Sequence, residues 1–376
     1  MKSRLVRRNS AAGLVGLAAM SFMVVACGSD SGGDDGDDAP VSATLPDKFK
    51  DDPVAQAVGA EVFNKALAEG KLTIYSGEIK NLMDAYGDEN FSQKYGIEVE
   101  ALDTKSSDGA DRIRAENASG NQVADVYSAV APYFYEFLTF DGLLEWKPPA
   151  PLVDEYPENM YPDPSGFFWP FTVSPKSVIV NTDMVAESDY PKSYSDLLDP
   201  KWKGKMVVRD PTDPGGGTWS MLQMWDNPDF GPDWVNGLKA QDPFVIPDDT
   251  CQAVVSGQFA IAFPGTGECN RDNPDAHVAL VDLDEGQTWL SNMIGIIADS
   301  PHPNAAKVFE TWIYQQENLQ QFTNVSRVAP VPGITTPYPS MDINLHPLME
   351  FAVPDKDVAD PTPVIEEFVK IFGKTS

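Results

Sequence analysis

The sequence predicts an α/β protein built as two lobes. From Leu72 the chain runs on for about 300 residues, more than one hydrophobic core usually serves, so two cores are expected. Along that length strand-like runs alternate with helix-like ones, the order that builds layered lobes with largely parallel sheets. No internal repeat of short period interrupts the alternation.

Strands are expected at 72–75, 97–102, 125–129, 206–209, 259–263, 278–283 and 293–298, each a short apolar run bounded by turn residues. Helix-like stretches lie between them at 110–118, 219–225 and 250–256. The clearest helix is 304–322. There Ala305, Val308, Phe309, Trp312, Ile313, Leu319 and Phe322 fall at helical spacings and form a stripe read as core. Beyond Ser326 the chain is rich in proline, including Pro330, Pro332, Pro337, Pro339, Pro347 and Pro354, and is expected to wrap the surface until a last helix at 362–372.

The amino terminus is of another kind. Lys2, Arg4, Arg7 and Arg8 precede an apolar stretch, 11–26, broken only by Ser21. It is shorter than the roughly 20 residues of a spanning helix and reads as a secretion signal covering residues 1–26. It closes on Val24-Val25-Ala26-Cys27-Gly28, which resembles the lipobox of bacterial lipoproteins. Cleavage would leave Cys27 first, its thiol free to carry a diacylglycerol that anchors a soluble body to a membrane surface. Residues 29–40 are nearly all Gly, Ser and Asp and are expected to be a disordered tether, within a segment 27–70 that ends in a lead-in helix. Asp34, Asp35, Asp37 and Asp38 there are read as solvation.

The chain carries 57 acidic against 27 basic residues, a formal charge of −30, and cleavage would remove only basic ones. A field of that sign repels phosphate backbones, so nucleic acid is not an expected partner. It does not set the charge of a bound solute, because a cleft can differ from the surface around it.

Motifs of catalysis do not occur: no Gly-x-Ser-x-Gly, no His-Glu-x-x-His and no phosphate loop ending in Gly-Lys-Ser/Thr. His277, His302 and His346 are scattered without ligand spacing. The expectation is a protein that is not an enzyme and holds no cofactor. A surface hydrolase built on a carboxylate pair stays open as an alternative.

The order and wording of the segments resemble the bacterial extracellular solute-binding proteins of the ferric-iron-binding type, whose relatives carry iron, thiamine, polyamines, phosphonates or sugar phosphates. The resemblance runs from about Leu72 to Gly333. It is carried by Leu72-Thr-Ile-Tyr-Ser-Gly77, Gly96-Ile-Glu-Val99, Ala124-Asp-Val126 and Val180-Asn-Thr-Asp-Met184. Most specific is Pro191-Lys-Ser-Tyr-Ser-Asp-Leu-Leu-Asp-Pro-Lys-Trp-Lys-Gly-Lys205; Ser256-Gly-Gln-Phe-Ala-Ile-Ala262 and Pro303-Asn-Ala-Ala-Lys-Val-Phe309 add to it.

The resemblance implies a type II periplasmic-binding-protein fold, with two lobes joined by crossings near 171–178 and 283–289. Residues 71–172 and 285–376 would form lobe 1 and 173–284 lobe 2, with ligand between them. It further implies the receptor of an ABC importer, a monomer whose partners are a small ligand and a membrane permease. Closure around the solute would create the surface that the permease recognises.

That geometry nominates site residues. Ser76 and Gly77 end the first strand; Thr104, Ser106 and Ser107 follow the second; Ser128 and Ala129 end the third. Capping of the next helix is an equal reading for Ser106 and Ser107. In the second lobe Asp210-Pro-Thr-Asp-Pro-Gly-Gly-Gly-Thr218 leads into a helix, so Asp210, Gly215, Gly216, Gly217 and Thr218 could offer close backbone approach and unpaired amides to an anion. Trp169, in Gly166-Phe-Phe-Trp-Pro-Phe171, could stack on a ligand or pack the hinge.

After the strand at 259–263, ferric-iron members carry adjacent tyrosines, whereas this chain reads Pro264-Gly-Thr-Gly-Glu-Cys269. A hard trivalent ion wants several anionic oxygens, so loss of the pair argues against simple ferric-iron capture. Thr266 and Glu268 would line the cleft instead. Helix beginnings favour a carboxylate, phosphate or phosphonate, while Glu268, Asp210 and Asp213 leave a cationic solute such as a polyamine or thiamine open. Cys251 and Cys269 should fall at one end of a helix–strand unit, where an exported protein can bridge them; a thiol metal site is the lesser reading.

Overall fold

The apolar runs become strands, mostly buried across the middle of the sheet and partly exposed at its two edges. The strands of this computed structural model are β1 (Lys71–Tyr75), β2 (Glu98–Leu102), β3 (Val126–Val130), β4 (Trp169–Asn181), β5 (Met206–Arg209), β6 (Phe244–Ile246), β7 (Ile261–Gly265), β8 (Val278–Val281) and β9 (Thr288–Ile296). The structure describes residues 43–86, 91–157, 166–212, 216–247, 250–325, 327–350 and 362–373. Cys27, the acidic stretch 29–40, Asp213 and Gly215 lie outside the described residues.

Between the strands come α1 (Pro53–Val58), α2 (Ala60–Glu69), α3 (Gly77–Tyr86), α4 (Phe91–Tyr95), α5 (Ser106–Ser119), α6 (Ala131–Leu138), α7 (Gly216–Asp226), α8 (Gly231–Ala240), α9 (Cys251–Val255), α10 (Glu268–Asp272), α11 (Pro303–Ile313), α12 (Gln316–Val325) and α13 (Thr362–Phe372). The strand path is β2-β1-β3-β9-β4-β7-β5-β6, with β8 also on β4.

Side chains alternate across this path with the two-residue period of a pleat. In the first half, Leu72, Ile74 and Val126 enter one core with Phe63, Phe309 and Trp312. Tyr75, Tyr127 and Ala129 enter another with Ile113, Phe134 and Phe137. In the second half, Val178, Val180, Met206, Val208, Ile261 and Phe263 pack on Met221, Met224, Trp234 and Leu238. Their neighbours Ile179, Val207 and Ala262 face Cys251, Val254 and Cys269. Burying each such Val, Leu, Ile or Phe contributes about 1.5–3 kcal/mol before the entropy of ordering is counted.

Several expectations need correction. The ladders are mixed, not largely parallel: β1 lies parallel to β2 and β3, and β5 to β6 and β7, but β9 is antiparallel to β3 and β4, and β4 to β7 and β8. Strands β4 and β9 carry the chain between the halves in opposite directions, so they run against their neighbours. The helix expected at 304–322 is two, α11 and α12, separated at Tyr314 and Gln315. Asn318 donates to the Trp312 carbonyl at 2.6 Å, and the Tyr314 hydroxyl to Pro170 O at 2.6 Å. Both helices still face one core, which is why the apolar stripe reads through the break.

The expected lead-in helix is two, α1 and α2, and they enter the first core. Val54, Ala55, Phe63 and Ala66 are fully buried in the first core. At the other end, α13 packs Phe368 into the second core, its ring 5.5 Å from that of Trp225, instead of joining the first half. The chain therefore passes between the halves a third time, along 336–349. Gln287 and Leu348 form a parallel bridge there, and the Trp289 indole donates to Met349 O at 3.0 Å.

Cys251, at the start of α9, and Cys269, in α10, are joined across a sequence separation of 18 with Cα atoms 5.6 Å apart. Both are buried. A loop of that length should contribute about 3 kcal/mol through the unfolded chain. The pair Cys251→Ala with Cys269→Ala is expected to lower the urea midpoint accordingly. Reductant should bring the parent protein to the same midpoint and leave the variant where it is; a parent midpoint indifferent to reductant would count against the bridge.

Candidate functional site

The registers bring strand ends together. Tyr75 lies opposite Leu102 and Tyr127, so the residues after β1, β2 and β3 share one edge. Val208 lies opposite Phe263, which puts Asp210 and Thr266 on one edge of the second half. The edges meet where Val130, Trp219 and Leu222 form a small apolar cluster with Leu290.

At that meeting lies a cluster of charges. Arg327, just beyond α12, reaches Glu78 of α3 with Nη1 to Oε1 at 2.8 Å, and Glu268 of α10 with Nε to Oε1 at 3.6 Å. Thr172 of β4 donates to Glu78 Oε2 at 3.3 Å, and Asn292 of β9 donates to Thr172 at 3.2 Å. Lys176, also on β4, is buried and acts on both carboxylates. These side chains come from both halves and from the strands that join them. All three members of the central triad are partly exposed, with side-chain exposures of 27% for Arg327, 19% for Glu78 and 28% for Glu268.

The two carboxylates differ. Burial pushes the Glu78 carboxyl above its ordinary value, beyond what Arg327 opposes. Burial also pushes Glu268 up, but Arg327, Lys176, Arg271 and the Thr266 hydroxyl together outweigh it and hold Glu268 below the usual range. Thr266, Gly267, Glu268, Arg327, Ser174, Ser340 and Met341 enclose a cavity of about 10 Å³. The segment around Pro339–Met341 caps it: Ser340 Oγ donates to Gly267 O at 2.8 Å. Residue 267 must be glycine, since a Cβ would stand 1.9 Å from the Ser340 carbonyl oxygen.

The residues expected from sequence divide. Thr266 and Glu268 stand in the cluster. Gly216 opens α7 against Arg209 and Lys176: a Cβ there would lie 3.1 Å from Arg209 Nη1 and 3.5 Å from Lys176 Cε. Gly217 leaves room for the Asp210 and Arg209 carbonyls, 2.6 and 2.9 Å from a Cβ position. Thr104 and Ser128 carry buried hydroxyls without a hydrogen-bond partner, and Ala129 is buried beside them in the sheet core. A Cβ at Gly77 would meet Asp103 Oδ1 at 2.6 Å, so the Asp103 side chain would have to move aside.

Others serve local structure. Ser76 Oγ accepts from Ile79 N at 3.3 Å and caps α3. Asp210 Oδ1 accepts from Thr212 N and Oγ1, both at 2.7 Å, and the Thr218 hydroxyl donates to Pro211 O at 3.1 Å. Ser106 takes the Tyr127 hydroxyl on its carbonyl, and Ser107 bonds Asp108 at the surface. Trp169 is packing: it is buried in the first core and donates its indole N–H to Trp146 O at 2.6 Å.

Sequence reasoning missed Glu78, Thr172, Lys176 and Arg327. Glu78 follows Gly77 directly, so the strand-end argument that nominated its neighbours could have included it. Arg327 stands in a proline-rich stretch with no periodicity, and only the bridge of Val328 to Val173 brings it to the cleft.

Residues 88–340 match the family described as bacterial extracellular solute-binding protein, and the chain belongs to that family. Among curated proteins it is 25% identical over 237 residues to a probable ABC transporter periplasmic-binding protein of Sinorhizobium fredii, covering 58% of this chain and 62% of that one. It is 28% identical over 123 residues to Iron uptake protein A1 of Synechocystis sp., covering 32% of each. The matches thus span less than two thirds of these relatives. Among solved structures it resembles iron-bound HitA of Pseudomonas aeruginosa, with a TM-score of 0.63, 18% identity, and 81% and 99% of the two chains covered. It also resembles AfuA of Actinobacillus pleuropneumoniae with fructose-6-phosphate bound, with a TM-score of 0.66, 15% identity, and 81% and 99% covered. At such identity these likenesses bear on the fold, which is that of a type II periplasmic binding protein.

Glu268 also sets a pH dependence. Its folded value lies below the ordinary 4.5, so its stabilisation is complete above that value and is lost as pH falls through the folded one. Glu268→Gln is therefore expected to flatten the acid limb of a urea-midpoint profile from about pH 6 to pH 3. An unchanged limb would mean that Glu268 is not held by the cations around it.

Proposed function

We propose that this protein is the solute-binding component of an ABC importer and captures a small polar anion, a carboxylate, phosphate or phosphonate, by closing two lobes over it. The observation that carries the reading is Arg327 reaching acids of both halves at once, with Lys176 acting on the same two acids and Arg209 near Lys176 at the start of α7. Cations gathered where strand ends meet offer an anion a positive, partly dry seat. The first lobe would comprise 71–172 with 285–335, and the second 173–284 together with α13. Strands β4 and β9 and the segment 336–349 would then be the hinge.

A cationic solute or ferric iron is the weaker reading of the same site. Among the described residues no group of three or more His, Cys, Asp or Glu side chains is placed to hold a metal ion. The acids near the site are already engaged by Arg327. Catalysis has less support still, since the family is one of binding proteins.

Export and lipid anchoring at the outer face of the cytoplasmic membrane rest on residues 1–27. No helix among the described residues is long and apolar enough to cross a membrane. Cys27→Ser is expected to move the protein from the membrane fraction to the soluble one; retention in the membrane would remove the lipid from this reading.

A thermal-shift panel of phosphate, phosphonates, sugar phosphates, dicarboxylates, polyamines, thiamine and ferric citrate tests the ligand class. A true ligand at a hundred times its Kd adds about 2.7 kcal/mol and shifts Tm by a few degrees. One anion class should give a saturable shift that Arg327→Ala weakens at least about tenfold, the scale of one lost charge-assisted hydrogen bond. A shift with polyamines or iron alone would overturn the anion reading.

A further inference from the structure

We propose that Glu78 and Glu268 make this site selective for anions that bring their own hydrogen-bond donor, such as a hydroxyl, an ammonium or an acidic proton, over donorless anions of the same size. The inference rests on the function proposed above and narrows its ligand class.

Arg327 is the cation that both acids share, at 2.8 Å from Glu78 and 3.6 Å from Glu268. Because both carboxylates stand at ion-pair distance from the guanidinium, an anion that seats on it comes to lie near at least one of them. Two anionic oxygens in contact repel, and a partly desolvated site does little to screen them. A proton carried by the ligand turns the same contact into a charge-assisted O–H···O or N–H···O bond.

Two of the hydroxyls beside the seat are already engaged. Thr172 spends its hydroxyl hydrogen on Glu78 Oε2 and accepts from Asn292. Ser340 spends its own on Gly267 O. Glu268 is held ionised by the surrounding cations, so it acts as an acceptor and not as a donor. A donor carried by the ligand therefore meets a carboxylate acceptor at the seat. Carboxylates next to an anion seat would be a liability for a receptor of bare anions, and become a second recognition element for hydroxylated or zwitterionic ones.

The test uses residues 28–376 and two pairs of probes matched in size. Inorganic phosphate, which keeps a proton near pH 7, is compared with sulfate, which does not. Glycolate is compared with propionate, in which a methyl group replaces the hydroxyl. Calorimetric or thermal-shift titrations should place phosphate and glycolate ahead by about 10- to 100-fold, the range of one hydrogen bond to a charged group. Glu78→Gln and Glu268→Gln keep shape but can donate, so each should admit sulfate and shrink the preference; either variant suffices if the other fails to fold. Equal affinity within both pairs would overturn the selectivity while leaving an anion receptor standing. Binding of none of the four probes, together with no anion response in the wider panel, would remove the anion receptor itself.

Discussion

Strand β4 belongs to both halves, and most of the architecture follows from that. From Trp169 to Lys176 it pairs with β9, and from Ser177 to Asn181 with β7 and β8. Twelve of its 13 residues are buried, with Pro175 the partly exposed one. A strand so covered cannot slip by one residue without turning its apolar side chains to the wrong faces. The two halves are therefore tied together at the place where the strand changes partners. Supports gather there: the Tyr194 hydroxyl donates to Gly286 O at 3.1 Å and accepts from Thr288 N at 3.1 Å, and Gln223 brackets Trp289 by its N–H and carbonyl.

The same strand sets the charge cluster. Thr172, Ser174 and Lys176 alternate onto one face, so a single pleat presents a hydroxyl to Glu78, a wall to the small cavity and an ammonium near Glu268. Arg327 arrives beside them because Val328 pairs with Val173. The glutamates come from short elements at strand ends, Glu78 in the first turn of α3 and Glu268 at the start of α10. Secondary structure supplies the positions, and the hinge supplies the coincidence. The bond from Cys251 to Cys269 ties α10 to α9 one residue beyond Glu268, bracing an element too short to hold its shape alone.

Much of the fold was legible because its signals are local. The strand at 206–209 and the last helix at 362–372 appear with the expected limits, and β1, β2 and β3 with ends moved by one residue. Apolar period and turn residues report on the backbone nearby. The break between α11 and α12 was visible as a gap of six between Ile313 and Leu319, but buried residues on both sides mask a break in a stripe. Strand β4 covers the stretch at 171–178 that the resemblance implies as an extended crossing, and its register with β9 shifts between Pro170 and Thr172.

By itself, then, the sequence determined the α/β class, the family, the Cys251 and Cys269 neighbourhood and the strand ends at which a site should form. Each of these depends on residues close in the chain or on the order of segments. Only the tertiary structure decided that the ladders are mixed, that α13 returns to the second core, and that Arg327 joins Glu78 and Glu268 across 249 and 59 residues of chain. An ion pair leaves no periodicity and selects no neighbouring residue type. With 57 acids in the chain, which two meet an arginine is settled by how the halves pack and by nothing in the local sequence.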